Sequence, residues 1–365
     1  MLPIILLLLY NILFFYKFYS NPFKMCTSEL TSTFFPFWRW SKGRIIFKSD
    51  MYYPYPACIP FLSIFYPPNI VTSYIASFIK SIDNQFKLFS LCILLHFLFG
   101  SILAYYALLT YGVIIALFGS ISLMYSAYFV KPFTPCAIYT HAWVVGALSG
   151  GKIGAICTGM AILGGYWPTL VYILPVLLVL HPSNTLGLLI GLPQIIPFLW
   201  YWPKSVRAGV KSDPNIGKVP LWRYLDLILP NRTQNTINGI FWPEMAIYMG
   251  LVPILVLFFH LRSIWLTPCL LSFLITIQRI PARSLYLFSF SLIMLALQAK
   301  ITWPILILQA WLLLENNRIY PHFPFSQWWK KPSEHDYDNE NRWPGLTGYI
   351  SGKKTRYAGA FALRD

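Results

Sequence analysis

Up to residue 314 the chain carries only six carboxylates: Glu29, Asp50, Asp83, Asp213, Asp226 and Glu244. Charged residues make up 11% of the whole, against roughly 25% in an average soluble domain. A charge held at the centre of a bilayer costs several kcal/mol, so such scarcity is what a lipid-facing chain requires. Hydrophobic residues reach 57% and aromatics 18%, including 14 Trp and 24 Tyr, types that favour the headgroup interface. The composition excludes an ordinary soluble domain and points to an all-α, polytopic membrane protein in a cell membrane.

The formal charge is +16, and the remaining carboxylates sit in or beside the C-terminal tail. The membrane part is therefore strongly basic. Two readings stand: anchoring to anionic headgroups, or a surface for a phosphorylated, lipid-linked substrate. No nucleic-acid partner is expected, because no soluble recognition module accompanies the basic surface. Cys26, Cys58, Cys92, Cys136, Cys157 and Cys269 show neither paired nor metal-type spacing and read as small hydrophobes.

Residues Leu2 to Tyr16 form one apolar run with no basic residue before it and no small-residue cleavage site, which reads as an uncleaved first membrane helix within 1–19. A long, aromatic, proline-rich first loop follows over 20–85, read as non-helical and lying against the membrane surface, with a short amphipathic helix near Ile70 to Ile82. The membrane domain spans 86–314. Its apolar runs are Leu88–Tyr106, Val113–Val130, Ala137–Leu148, Ile153–Gly165, Leu170–Leu180, Leu186–Trp202, Met245–Leu261, Ile264–Ile277, Ala282–Leu297 and Ile301–Leu314. Several fall short of the ~20 residues that a full crossing needs, so re-entrant or kinked helices are expected. The total expected is about 9–11 transmembrane or re-entrant helices, with a polar tail over 315–365.

Several separated segments, in order, resemble the YfhO-like family of bacterial membrane proteins, glycosyltransferases of the GT-C type. Phe35-Pro-Phe-Trp38 with Gly43 is similar to the opening of the family's first loop, and Phe65-Tyr-Pro-Pro-Asn69 to its "YPP" element. The helix with His96 and Tyr105-Tyr106, ending near Gly112, resembles its "H…tY…lG" helix. Further matches are Gln194-Ile-Ile-Pro197 with Ser205-Val-Arg207, then Pro243 to Pro253, then Arg279-Ile-Pro-Ala-Arg283. The resemblance covers about residues 35 to 300. It implies a GT-C-like fold in a bacterial cytoplasmic membrane and transfer of a sugar from a polyprenyl-phosphate carrier to a cell-envelope glycan or lipid. The family's acid shortly after the first helix has only Glu29 and Asp50 as counterparts here.

Such transfer needs a carboxylate to take the proton of the attacking hydroxyl and cationic groups to stabilise the departing phosphate. Asp50 lies between the "PFW" and "YPP" elements, in an aromatic setting that favours a raised pKa; its alternative is pairing with Lys48 or Arg44. Glu29 lies nearer the first helix, though Thr27, Ser28 and Thr31 beside it also fit an exposed cap. Glu244, after Pro243, reads as a helix cap. For the phosphate, Pro281 suits the first position of a helix, which brings Arg283 into the first turn with Arg279 just before it. The alternative for both arginines is snorkelling to headgroups. Lys204 and Arg207 are further phosphate candidates. His96, inside an apolar run, is a candidate substrate contact or a buried structural histidine. No metal-ligand cluster is visible and no cofactor is called for, a divalent cation on Asp50 remaining open.

The first loop's Lys17, Lys24, Arg39, Lys42, Arg44 and Lys48 place it in the cytoplasm by charge, whereas the resemblance implies the opposite side. The rival readings are a transporter or flippase of a lipid-linked substrate and a non-catalytic membrane scaffold. No internal inverted repeat is visible to favour the first.

Overall fold

A computed structural model describes residues 1–22, 35, 38–39, 42, 65–130, 135–201, 248–257, 263–274 and 285–319, and every regular element among them is helical. In chain order these are α1 (Leu2–Phe14), α2 (Tyr16–Ser20), α3 (Pro67–Ala76), α4 (Ile82–Leu108), α5 (Val113–Tyr125), α6 (Ala127–Val130) and α7 (Pro135–Ala147). They are followed by α8 (Gly151–Gly164), α9 (Trp167–Leu180), α10 (Gly187–Tyr201), α11 (Val252–Leu257), α12 (Leu266–Leu274), α13 (Leu285–Ala296) and α14 (Trp303–Ile319).

The longest helix starts where the sequence offers a cap. The Ser81 side chain accepts the Asn84 backbone N–H, and Asp83 sits at the positive end of the dipole. With the 3₁₀ turn at its end the helical stretch Ile82–Tyr111 covers 30 residues, and it alone among the described helices is long and apolar enough to cross a bilayer. Leu2–Phe14, Val113–Tyr125, Gly151–Gly164, Trp167–Leu180 and Leu285–Ala296 are apolar but shorter. Prolines lie inside α9 (Pro175) and α10 (Pro193, Pro197), where each removes a helical hydrogen bond and bends the axis.

Four elements depart from the sequence reading, α4 among them: its cap at Ser81 starts it at Ile82, inside the stretch read as the first loop. The stretch read as non-helical contains α3, which begins at Pro67 rather than near Ile70: prolines at the first helical positions start a helix as readily as they end one. The run Val113–Val130 breaks at Ser126, whose extended backbone ends α5. The last helix runs beyond residue 314 to Ile319, taking in Glu315 and Asn316.

Around α4 the register of contacts fixes the packing. His96 faces Tyr139, Phe99 faces Trp143, and a Cβ on Gly100 would touch Ala142, so α4 and α7 run parallel. The Thr140 hydroxyl donates to the Ala161 carbonyl and Gly146 abuts Cys157, so α7 and α8 run antiparallel. Gly187 and Gly191 bring α10 onto α8 at backbone contact. A Cβ at Gly187 would lie 2.7 Å from Thr158 Cβ and 2.9 Å from the Gly159 nitrogen, and one at Gly191 would lie 2.7 Å from Ile162 Cγ2. Small residues four apart allow this close approach.

The core is mainly aliphatic and aromatic, but three helices bury an amide and turn aliphatic side chains outward. α1 turns Leu2, Ile5, Leu9, Ile12 and Leu13 outward and buries Asn11. α10 exposes Leu189 (64%), Ile196 and Leu199 (62%) while Gln194 is 0% exposed. α14 exposes Ile307 (65%), Leu308 and Trp311, and buries Gln309 and Asn316. Water drives large aliphatic groups inward, and on one face each of these three helices does the reverse.

The buried polar groups join the helices. Asn11 donates to the Tyr125 hydroxyl (2.9 Å) and accepts from Tyr19 (2.6 Å), tying α1 and α2 to α5. Tyr10 donates to the Ala310 carbonyl of α14 (2.9 Å). Gln309 Nε2 donates to Ser122 Oγ (3.0 Å) and the Met249 carbonyl (2.6 Å), holding α14 against α5 and the turn before α11. Cys136, Cys157 and Cys269 are buried and Cys92 is half-buried, in keeping with small hydrophobes.

Candidate functional site

Of the candidate catalytic and substrate-binding residues, His96 is the one the structure describes. Glu29, Asp50, Lys204, Arg207, Arg279 and Arg283 lie outside the described residues, as does Glu244.

The site at His96 is assembled by the Phe65-Tyr-Pro-Pro-Asn69 element. A residue before proline is driven to extended backbone, and Tyr66 adopts φ −76° and ψ 112° at the N-cap of α3. That conformation places its side chain, 0% exposed, into the bundle. There the Tyr66 hydroxyl lies 2.7 Å from His96 Nε2, and the Trp143 indole N–H donates to the same hydroxyl at 2.6 Å. His96 Nδ1 lies 2.6 Å from the Cys92 carbonyl, one turn back on α4. A carbonyl only accepts, so Nδ1 carries the proton, Nε2 accepts, and Tyr66 donates to it. Burial pushes the Tyr66 phenol above its ordinary pKa, opposed only in part by the Trp143 hydrogen bond, so the hydroxyl keeps the proton it donates.

Tyr139, one turn before Trp143 on α7, stacks on Tyr66 with centroids 5.0 Å apart and lies 4.3 Å from His96. Its buried hydroxyl has no hydrogen-bond partner, so the aromatic cluster holds one unused polar group.

The start of the first loop is drawn to the same helix. Phe35 packs against Phe86 and Phe89, and Trp38 against Phe89. Trp38 donates its indole N–H to Thr72 Oγ1 (3.1 Å) on α3. Gln85 of α4 donates to the Ala76 and Ile79 carbonyls (3.2 and 2.6 Å), satisfying the C-terminal end of α3, and accepts from Arg39 Nε at 2.7 Å. Arg39 of the first loop, Tyr66 at the N-cap of α3 and the carbonyl end of α3 thus converge on α4 through hydrogen bonds, the most distant pair 46 residues apart.

Compared with family models, curated proteins and solved structures, the chain matches none.

A second histidine, not singled out in the sequence although it lies in the apolar run Ala137–Leu148, forms a site of its own. His141 on α7 lies 2.7 Å from the Leu123 carbonyl through Nε2 and 2.7 Å from the Tyr286 hydroxyl through Nδ1. The carbonyl fixes the proton on Nε2, the opposite tautomer to that of His96. Phe129 stacks on the ring at 3.9 Å, with Tyr286 edge-on to Phe129 at 5.3 Å. Both nitrogens are satisfied and the residue is buried, so His141 joins α7, α5 and α13 and leaves no nitrogen for chemistry. Gln194, from the segment resembling the family's "Q..P" element, is also buried, and neither of its amide atoms has a partner. Among the described residues no three His, Cys, Asp or Glu side chains gather as metal ligands do.

Replacing Tyr66 by phenylalanine strands both His96 Nε2 and Trp143 Nε1 in an apolar setting. The expected loss is about 1–3 kcal/mol, since each buried group left unpaired keeps its full desolvation penalty. A matching fall in the thermal midpoint of the detergent-purified protein checks it, and an unchanged midpoint would show that the hydroxyl is not the joint between loop and bundle.

Proposed function

We propose that this chain is a multi-pass helical protein of the bacterial cell membrane. On this reading it transfers a sugar from a polyprenyl-phosphate carrier to an envelope glycan or lipid, as a YfhO-like glycosyltransferase of the GT-C type. The observation that carries the membrane reading is the inverted polarity of α1, α10 and α14, each with an amide buried and leucine or isoleucine turned outward. Lipid is the solvent that makes this arrangement favourable.

The sugar-transfer reading draws on the ordered sequence resemblance and on one geometric point that supports it. The elements at 35–38 and 65–69 both pack on the helix that bears His96. In this proposal Asp50, or Glu29 in its place, takes the acceptor proton, while Arg279 and Arg283, with Lys204 and Arg207, hold the carrier phosphate. His96 fixes the rim of the site through Tyr66.

A purified, vesicle-reconstituted protein given a radiolabelled polyprenyl-phosphate sugar is expected to yield a labelled glycan or lipid product. Movement of the intact donor across the bilayer without product would instead identify a transporter, and neither outcome a scaffold. Topology provides a second check. Single cysteines placed in the first loop are expected to react with impermeant reagents from outside the cell, and labelling from the cytoplasm alone would overturn the GT-C arrangement.

A further inference from the structure

α3 is inverted in the same way as the longer helices, but on a smaller scale. Its inner face presents Thr72, Ser73 and Ala76 to the bundle, with Thr72 bonded to the Pro68 carbonyl (2.7 Å) and to Trp38. Its outer face and the turn after it present Val71 (56% exposed), Tyr74 (56%), Ile75 (48%) and Phe78 (71%). The ten-residue helix is too short to cross a bilayer and stands beside the capped, polar N-terminus of α4. Lys80 ends the turn after the apolar face, Lys87 lies exposed in the second turn of α4, where it donates to Asn84 Oδ1 at 3.3 Å, and Lys42 lies exposed in the first loop. Asp83 is the one carboxylate among the described residues here, half-buried in the first turn of α4.

We propose that α3 and the turn to Lys80 lie flat in the membrane interface as a docking surface for anionic phospholipid. Val71, Tyr74, Ile75 and Phe78 enter the acyl boundary, and Lys80 and Lys87 meet the headgroup charge. An apolar face rimmed by lysines fits an anionic bilayer surface better than a protein groove, because each lysine stem extends past the apolar face to reach the headgroups. A consequence follows for the site. Thr72 holds Trp38 and Gln85 holds Arg39, so lipid contact on the outer face of α3 sets the level at which the first loop meets the bundle. The inference rests on the membrane reading above.

The test uses the full chain with a photoreactive benzoylphenylalanine at Tyr74 or Phe78, reconstituted in phosphatidylcholine vesicles with and without phosphatidylglycerol. Covalent adducts are identified by mass spectrometry. Phospholipid adducts are expected at both positions, enriched in the anionic lipid, and K80Q and K87Q are each expected to reduce that enrichment by about fivefold. Adducts to protein alone, adducts to a polyprenyl carrier in place of bulk phospholipid when both are supplied, or enrichment unchanged in both glutamine variants would each overturn it. The same probe at Leu189 on the outer face of α10 separates the two readings. Lipid adducts there but none at positions 74 and 78 refute only the docking surface, and none at any position refutes the membrane reading itself.

Discussion

Asp50→Asn and Arg283→Ala are each expected to reduce sugar transfer to background while the protein still inserts and purifies as the parent does. The asparagine keeps the size and hydrogen-bonding capacity of the side chain and removes only its basicity. A general base contributes roughly 10²–10⁴-fold, and an amide cannot supply it. On the proposed function the alanine would remove a guanidinium fork from the leaving phosphate, where a charge-assisted, bidentate contact is worth most as negative charge develops. Carboxylates are so few before residue 315 that a surviving activity in Asp50→Asn narrows the base to Glu29, the other residue near the first helix. Full transfer in both variants would remove the assigned site. Loss in Arg283→Ala accompanied by failure to insert would instead mark the arginine as a headgroup anchor.

The helical character of the chain was legible because apolar runs and caps are local signals. The density of Leu, Ile and Phe after residue 88 leaves no other element type, whereas the cap at Ser81 and Asp83 starts α4 at Ile82, inside the stretch read as loop. Helix ends were less legible where one residue type serves two roles. Pro67-Pro68 looks like a breaker but occupies the first turn of α3, and Glu315-Asn316 looks like the start of a polar tail but continues α14, with Asn316 turned inward. In a bundle whose interior holds the amides, a polar residue no longer marks the surface, so composition alone sets such a boundary too early.

The candidate site was legible in part. His96 stands out as an ionisable residue in an apolar run, but Tyr66, which donates to it, and Trp143, which donates to Tyr66, lie 30 and 47 residues away, and only packing brings them together. His141 meets the same criterion, and its partner Tyr286 is 145 residues away. Sequence spacing carries the i to i+4 relation within a helix, such as His96 to the Cys92 carbonyl, and is blind to the register between helices.

That register rests in part on Gly187, and leucine there is expected to destabilise the described bundle. Any Cβ at this position meets the Ala155 carbonyl oxygen and the Gly159 nitrogen, which are backbone atoms of α8 and cannot rotate away. Replacing glycine in a helix ordinarily gains about 1 kcal/mol in propensity. Overpacking opposes it with about 1–3 kcal/mol, and a leucine pressed against backbone belongs at the top of that range. The net effect is therefore destabilising by about 2 kcal/mol even after the propensity gain is counted. Gly187→Ala is expected to lie between, its clash and its propensity gain nearly offsetting each other. Leu189→Ala, two residues along on the exposed face, is expected to stay within about 0.5 kcal/mol of the parent. Thermal midpoints of the three detergent-solubilised variants, followed by size-exclusion profile, measure this ordering. If Gly187→Leu matched Leu189→Ala, the close approach of α10 to α8 would be refuted, and with it the packing that buries Gln194 between a kinked helix and the rest of the bundle.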